Sequence, residues 1–423
     1  MKVLVIGNGG REHAIARKMR KGSRSVELFV APGNAGTSQI AQNVPIAITG
    51  VEAAVYIERL VSFARQNDID LTVVGPDQPL ADGIVDRFQE AGILVFGPTK
   101  AAAKIEWSKR FAKELMDQIG VPTGHAEFFV SCEDALHAVR KHDFERPLVV
   151  KPDELSGGKR VTVTRTKDKA EQAVKDLFAK GHTVLLEEFL EGQEVSVFAF
   201  VDGEKVSSVV TAVDYKPLGV GDTGPNTGGM GSFSPPSPVF WSANLGDQVR
   251  REIVVPVARE LAKRGIPFKG VLYAGLILTA QGPMVLEFNC RFGDPEAQVI
   301  LPRLKTDLLE VMLAIARGVP RPALEWDSRA CVGVVMASGR YPYLESYPSY
   351  PIEGLDEMDE DVVVFHAGTK KEDGKILTDG GRVLIVVAYG DTLEEARERA
   401  YANVRRIRFT DAIWREDIAF YSN

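Results

Sequence analysis

The first hundred residues alternate short apolar runs with stretches of helical period. Segments 3–6, 26–30, 71–74 and 93–96 are mostly β-branched or aromatic, and helical patterns over 12–21, 51–66 and 81–91 lie between them. Strands apolar on both faces and separated by helices predict a parallel sheet covered on each side. In that architecture function sits on the loops at the carboxyl ends of the strands. Those loops read Gly7-Asn8-Gly9-Gly10-Arg11-Glu12-His13, Ala31-Pro32-Gly33-Asn34-Ala35-Gly36, Gly75-Pro76-Asp77 and Gly97-Pro98-Thr99.

Further on, a strong helix pattern runs from Lys100 to Met116 and is broken at Val121-Pro122. A small α+β unit follows, with strands at 147–151, 161–164 and 183–186 and a helix at 169–179. Residues 222–231 hold four glycines and show little helix or strand potential. In an extended strand over 284–294, alternation puts Glu287, Asn289 and Arg291 on one face, with Leu286, Phe288 and Cys290 packing behind. From about residue 324 the pattern gives strands at 331–337, 362–366 and 382–389 and an amphipathic helix at 392–407.

A length of 423 residues leaves room for about three domains. Charged residues at 26% and hydrophobic ones at 45% exclude wholesale disorder. With 51 Lys and Arg against 58 Asp and Glu, the net charge of −7 argues against a nucleic-acid partner held by a basic face. Cys132, Cys290 and Cys331 lie too far apart for a disulfide framework or a zinc site. The longest uncharged stretch, 270–286, is broken at Gln281-Gly282-Pro283, which reads as a hairpin turn, so no membrane partner is expected. The expectation is a cytoplasmic protein, a monomer or weak dimer.

Candidate chemistry narrows this further. The first loop has Gly7-x-Gly9, but Glu12 stands at the third glycine position and Ala31-Pro32 replace the ribose-binding carboxylate, which counts against a dinucleotide. Glycines at a helix N-terminus still suit a phosphate, with Arg11 to pair with it; plain tight turns are the other reading. Gly157-Gly158-Lys159 lies between two strands rather than between strand and helix. It is therefore no P-loop, and is either a lid over a triphosphate with Lys151 beneath it or an ordinary hairpin. Glu287 and Asn289 form a hard oxygen pair of the kind Mg²⁺ shares with phosphates, and Arg291 is placed to stabilise a transferring phosphoryl group. A solvated strand face is the alternative there. His13 reads as structural or ligand-orienting rather than as a base.

The segments GNGGREHA, APGNAG, GPTKAAA, EEFLEGQEVS, DTGPNTGGMG, LYAGL, EFNCRFGDPE and FHAGTK…GGRV occur in this order along the whole chain. In them the chain resembles the glycinamide ribonucleotide synthetase family of ATP-grasp carboxylate–amine ligases. The resemblance implies an α/β fold: an N-terminal parallel-sheet domain over 1–103, an ATP-grasp core over 104–323 with a lid subdomain at about 124–189, and a C-terminal α+β domain over 324–423. It implies glycine and phosphoribosylamine as substrates, with ATP and Mg²⁺ or Mn²⁺. Gly9, Gly10, Arg11 and Glu12 would lie near the acceptor phosphate, and Asn34 and Asp77 near its sugar. Lys109, Lys151 and the lid residues Ser156, Gly157, Gly158 and Lys159 would contact the ATP phosphates. Glu187, Glu188, Phe189 and Leu190 would hold the adenine and Glu194 the ribose. Glu287 and Asn289 would hold the metal, and Arg291 would face the reacting carboxyl. Asp214, Asn226, Thr227, Gly228 and Gly229 would border the glycine site.

The chain departs from the family pattern at Trp107, Asp77, Pro152, Glu154, Arg160, Val213, Tyr215 and Pro217. Two alternatives follow: a related ligase acting on another acid or amine, and a nucleotide-binding regulatory protein without turnover.

Overall fold

The computed structural model describes residues 1–154 and 161–420. The five-stranded N-terminal sheet is parallel throughout, in the order Gln42–Asn43, Glu27–Pro32, Lys2–Gly7, Leu71–Val74, Val95–Phe96. Its apolar strands are buried on both faces, as their composition predicts. Leu4 and Ile6 pack with Tyr56 and Leu60 of helix Ala53–Gln66, and Val3 and Val5 pack with Ala14 and Ile15 of helix Gly10–Arg20. The edge strand Gln42–Asn43 is two residues long and polar, so no periodicity announces it.

The central sheet is antiparallel and runs in space through Gly282–Asn289, Lys269–Thr279, Gln193–Asp202, Val210–Asp214, Gly231–Ser234, Ala330–Ala337, Arg382–Gly390 and Val363–His366. Gly231 pairs with Val334 and Ser234 with Cys331, so the C-terminal strands continue the central sheet by backbone hydrogen bonds. A separate antiparallel sheet of Ala126–Phe129, Val184–Glu188, Leu148–Pro152 and Thr162–Thr164 is covered by helices Cys132–Lys141 and Lys167–Ala179.

Several expectations need correction. The helix expected over 81–91 is two, Asp77–Asp82 and Ile84–Glu90, because Gly83 takes a left-handed φ of +89° between them. The pattern from Lys100 to Met116 is also two helices, Lys100–Trp107 and Lys109–Ile119. Ser108 is extended, and its hydroxyl accepts from the Phe111 amide as an N-cap, which restarts the helix there. Residues 223–226 are a strand, not an irregular loop, since Thr223–Asn226 pairs with Pro217–Gly219. The hairpin expected at 281–283 turns one residue earlier, for Thr279 already pairs with Gly282. The hairpin of Thr369–Glu372 and Lys375–Thr378 carries no apolar alternation and is invisible to pattern.

Candidate active site

A cavity of about 1200 Å³ opens where the three sheets meet. Four loops and strand ends bring the predicted residues to it. Asn8 and Gly9 enter from the first loop of the parallel sheet, Arg11 from the first turn of helix Gly10–Arg20, and Asp77 from the start of helix Asp77–Asp82. Lys109 begins the helix that Ser108 restarts. Lys151 and the segment from Glu187 to Leu190 come from the small sheet, and Glu194 and Asp214 from the central one. Asn226, Thr227 and Gly228 approach from the glycine-rich turn, and Glu287, Asn289 and Arg291 from the end of strand Gly282–Asn289.

Alternation alone misplaces one residue on that strand. The register slips between Gly275 and Leu276, so that Val285 is fully buried and Leu286 lines the cavity beside Glu287. A bulge lets two successive side chains share a face.

Gly10, Glu12, Asn34 and Gly229 do not line the cavity; a Cβ on Gly10 would meet Gln298 Nε2 at 2.5 Å and Ile385 Cδ1 at 2.7 Å, and the other three also have structural tasks. The carboxylate of Glu12 accepts the Gly9 amide at 2.7 Å and Arg11 Nε at 2.6 Å. A Cβ on Gly75 would stand 2.1 Å from Glu12 Oε1, which is why that loop needs glycine. The Asn34 amide donates to the carbonyls of Asn8 and His366, both at 2.8 Å, and its oxygen accepts the Gly36 and Thr37 amides. Its side-chain polar atoms are thus engaged in holding loops together. Gly229 has φ +105°, and a Cβ there would meet Asp214 Oδ1 at 2.5 Å. His13 is buried and structural: its Nδ1 accepts the His366 amide. Ser156, Gly157, Gly158 and Lys159 lie outside the described residues.

The electrostatics divide the cavity. Burial alone would raise the Glu287 carboxyl, but Lys216, Lys151, Lys109 and Arg291 overcome it and hold it below its ordinary value. An ionised Glu287 and the Asn289 side-chain oxygen are hard oxygen donors of the kind a divalent cation takes, the latter also accepting from Arg291 Nη2 at 3.1 Å. Among the described residues there is no group of three or more His, Cys, Asp or Glu that could hold a metal ion, so phosphates or water would complete any such shell. Burial lowers Lys109, whose ammonium donates to the Glu154 carbonyl at 2.8 Å. Asp214 is the opposite case: burial, reinforced by Glu296, pushes its carboxyl well above the usual range, and Oδ1 has no hydrogen-bond partner.

Sequence reasoning missed several cavity groups. Lys216 pairs with Glu194 at 3.1 Å, and that pairing raises its ammonium well above the usual value. Lys113 joins Lys151 on Glu187 and also donates to Thr123 Oγ1 at 2.6 Å. Glu106 pairs with Arg291 at 2.9 Å. Arg382 donates to the carbonyls of Gly228 and Asp294, the latter at 2.7 Å, and pairs with the Asp294 carboxylate at 3.3 Å. Tyr341 accepts the Gly228 amide at 3.0 Å. Glu106 and Lys113 are polar residues on the buried sides of helices, a phase violation that was the available signal.

Two of the departures point elsewhere. The Tyr215 hydroxyl accepts the Ala419 amide at 3.0 Å, beneath Arg415, and Trp107 Nε1 donates to the Lys100 carbonyl at 3.2 Å. Neither lines the cavity.

Comparison with known proteins agrees with this geometry. Residues 1–106, 107–297 and 331–421 match the N domain, the ATP-grasp (A) domain and the C domain of phosphoribosylglycinamide synthetase. The phosphoribosylamine–glycine ligase of Halalkalibacterium halodurans is 46% identical over 99% of this chain and 96% of its own length. That of Escherichia coli O157:H7 is 45% identical over 99% and 98%. The chain belongs to the phosphoribosylglycinamide synthetase family. It is an ATP-grasp ligase of purine biosynthesis, which removes the reading as a regulatory protein without turnover. Among solved structures, the phosphoribosylamine–glycine ligase of Thermotoga maritima superposes with a TM-score of 0.83 at 32% identity, over 99% of this chain and 100% of that one. The biotin carboxylase of Campylobacter jejuni shares the fold, with a TM-score of 0.73 at 13% identity over 99% of this chain and 94% of that one. Among the described residues no helix is long and apolar enough to cross a membrane.

Proposed function

We propose that the cavity joins glycine to 5-phosphoribosylamine at the expense of ATP, releasing glycinamide ribonucleotide, ADP and phosphate. A carboxylate does not react with an amine at neutral pH, because oxide would have to leave. Attack of the glycine carboxylate on the γ-phosphorus expels ADP and leaves glycyl phosphate. The amine then attacks the acyl carbon, loses a proton and expels phosphate. Such chemistry needs positioning, charge neutralisation and water exclusion rather than a covalent nucleophile.

The observation that carries this reading is the convergence of opposite charges on one wall. Lys109 and Lys151 stand with Glu287, Asn289 and Arg291, while Arg11 and Asp77 face the same space from the parallel sheet. In this reading the two lysines take the ATP phosphates, the segment from Glu187 to Leu190 takes the adenine, and Glu194 takes the ribose. Glu287 and Asn289 hold Mg²⁺ or Mn²⁺, which when bound neutralises charge on the phosphates. Arg291 meets the reacting carboxyl and orients it. Asp214 and the turn of Asn226, Thr227, Gly228 and Gly229 border the glycine, and Arg11 with Asp77 receives the phosphoribosyl group.

An ADP-release assay over a panel of acids and amines tests this. Release is expected with glycine and phosphoribosylamine together, and alanine is expected to substitute poorly because the glycine-rich turn is packed against Asp214. Release with a different acid and amine, and none with this pair, would leave the ligase chemistry standing and overturn the substrates.

A further inference from the structure

Arg291 is oriented by a residue outside its own strand. Its Nη2 lies 3.1 Å from Asn289 Oδ1 and 2.9 Å from the Glu106 carboxylate. Glu106 sits in the last turn of helix Lys100–Trp107, three residues before Lys109, with only 4% of its side chain exposed. Its second oxygen is pinned from behind, accepting the Cys290 backbone amide and the Cys290 thiol, both at 2.8 Å. The carboxyl group therefore cannot rotate without breaking two hydrogen bonds; burial raises it, the Arg291 charge opposes that rise, and its other oxygen faces the guanidinium as an ion pair without a hydrogen bond.

Other anions compete for that guanidinium. Asp77 and Glu287 both carry charge within electrostatic reach of Arg291. Without a fixed partner behind it, the side chain would turn toward either of them, vacating the position from which it meets a carboxyl group or crowding the oxygen pair. We infer that Glu106 is a positioning residue of the reaction: by pairing with Arg291 from a carboxylate clamped on Cys290, it keeps that guanidinium directed at the reacting group and next to Asn289. Because Glu106 and Lys109 bracket the break at Ser108, the same turn sets the spacing between Arg291 and a phosphate-binding lysine. The inference rests on the reading of Arg291 given above.

The test compares full-length wild type, Glu106→Gln, Arg291→Lys and the double variant in steady-state ADP release, with whichever acid and amine the wild type accepts. Glu106→Gln keeps the shape and an acceptor for Cys290 but loses the charge opposite Arg291. Its kcat is expected to fall about 10- to 100-fold, as for removal of an orienting partner. The KM for ATP is expected to stay within about twofold, since Lys109 and Lys151 are untouched. In the double variant the loss beyond Arg291→Lys alone is expected to be under about twofold, because both changes remove one function. Wild-type kcat in Glu106→Gln, a large rise in the KM for ATP, or losses that multiply would overturn the inference. If Glu106→Gln does not fold, Glu106→Asp keeps the charge on a shorter arm. A smaller fall in kcat at unchanged ATP KM is then expected, and full activity would overturn the inference. Failure of the wild type on glycine and phosphoribosylamine would instead refute the substrate assignment and leave this comparison intact on the pair that works.

Discussion

His13 Nδ1 accepts a hydrogen bond from the backbone amide of His366 at 2.9 Å, across 353 residues of chain. The bond ties helix Gly10–Arg20 of the N-terminal region to the edge strand Val363–His366 of the central sheet. It requires His13 to be neutral at that nitrogen. Burial, then the proximity of His366 and Arg17, lowers His13 to about 3, and burial lowers His366 to about 4.

Both histidines therefore bind protons more readily in the unfolded chain than in the folded one. Their contribution to stability is complete above about pH 6.5 and is lost as pH falls toward their folded values. Between pH 6.5 and 5 the loss is expected to be on the order of 1 kcal/mol per histidine. Denaturant midpoints measured across that range should fall in the wild type and fall less steeply in His13→Gln. Equal slopes would refute the assignment.

Glu287→Gln is expected to abolish turnover, by about 100-fold or more, while leaving the far-ultraviolet circular dichroism unchanged. The amide removes the anion that Lys216, Lys151, Lys109 and Arg291 share, but keeps the shape. A variant retaining most of its activity would show that Glu287 holds no metal.

Gly75→Ala is expected to destabilise the fold by about 2 kcal/mol, because the new methyl group displaces a buried carboxylate from its partners. That carboxylate is Glu12, which also orients Arg11. Thermal melts and the KM for the phosphorylated amine should therefore change together, with the KM for ATP unaltered. A stability loss with no change in amine KM would separate Arg11 from the acceptor.

Arg382→Ala is expected to raise the KM for the amino acid more than that for ATP, at a stability cost of about 3 kcal/mol from the broken buried pair. Its guanidinium holds the Gly228 carbonyl and the Asp294 carboxylate from a strand of the C-terminal region. Parallel increases in both KM values would argue that the turn of Gly228 does not face the amino acid.

Much of the fold was legible because its strands are apolar on every position, as with Val3 to Ile6, or alternate cleanly. What escaped was decided by single residues that break a pattern locally. Ser108 interrupts a helix whose composition is continuous, and the bulge at Leu286 exchanges the faces of a strand. The site divided in the same way. Residues at strand ends, such as Arg291 and Lys151, announced themselves as charges closing apolar runs. Glu106, Lys113 and Arg382 did not, because their roles depend on partners 74 to 185 positions away in sequence. Asn34 shows the converse, a polar loop residue whose side chain is engaged with backbone groups, one of them His366 of the C-terminal region.

The pairing of strand Gly231–Ser234 with Ala330–Ala337 bears on how this chain can be cut. Removing everything beyond residue 324 would not yield a smaller enzyme lacking one wall. It would strip Gly231–Ser234 of its neighbour and expose a row of unpaired amides and carbonyls flanked by the apolar side chains of Val213 and Phe233. Such a bare edge invites pairing with another copy. A truncated chain is thus expected to aggregate rather than to persist as a two-part ligase, and the C-terminal strands serve as a cap on the sheet as much as a boundary of the cavity.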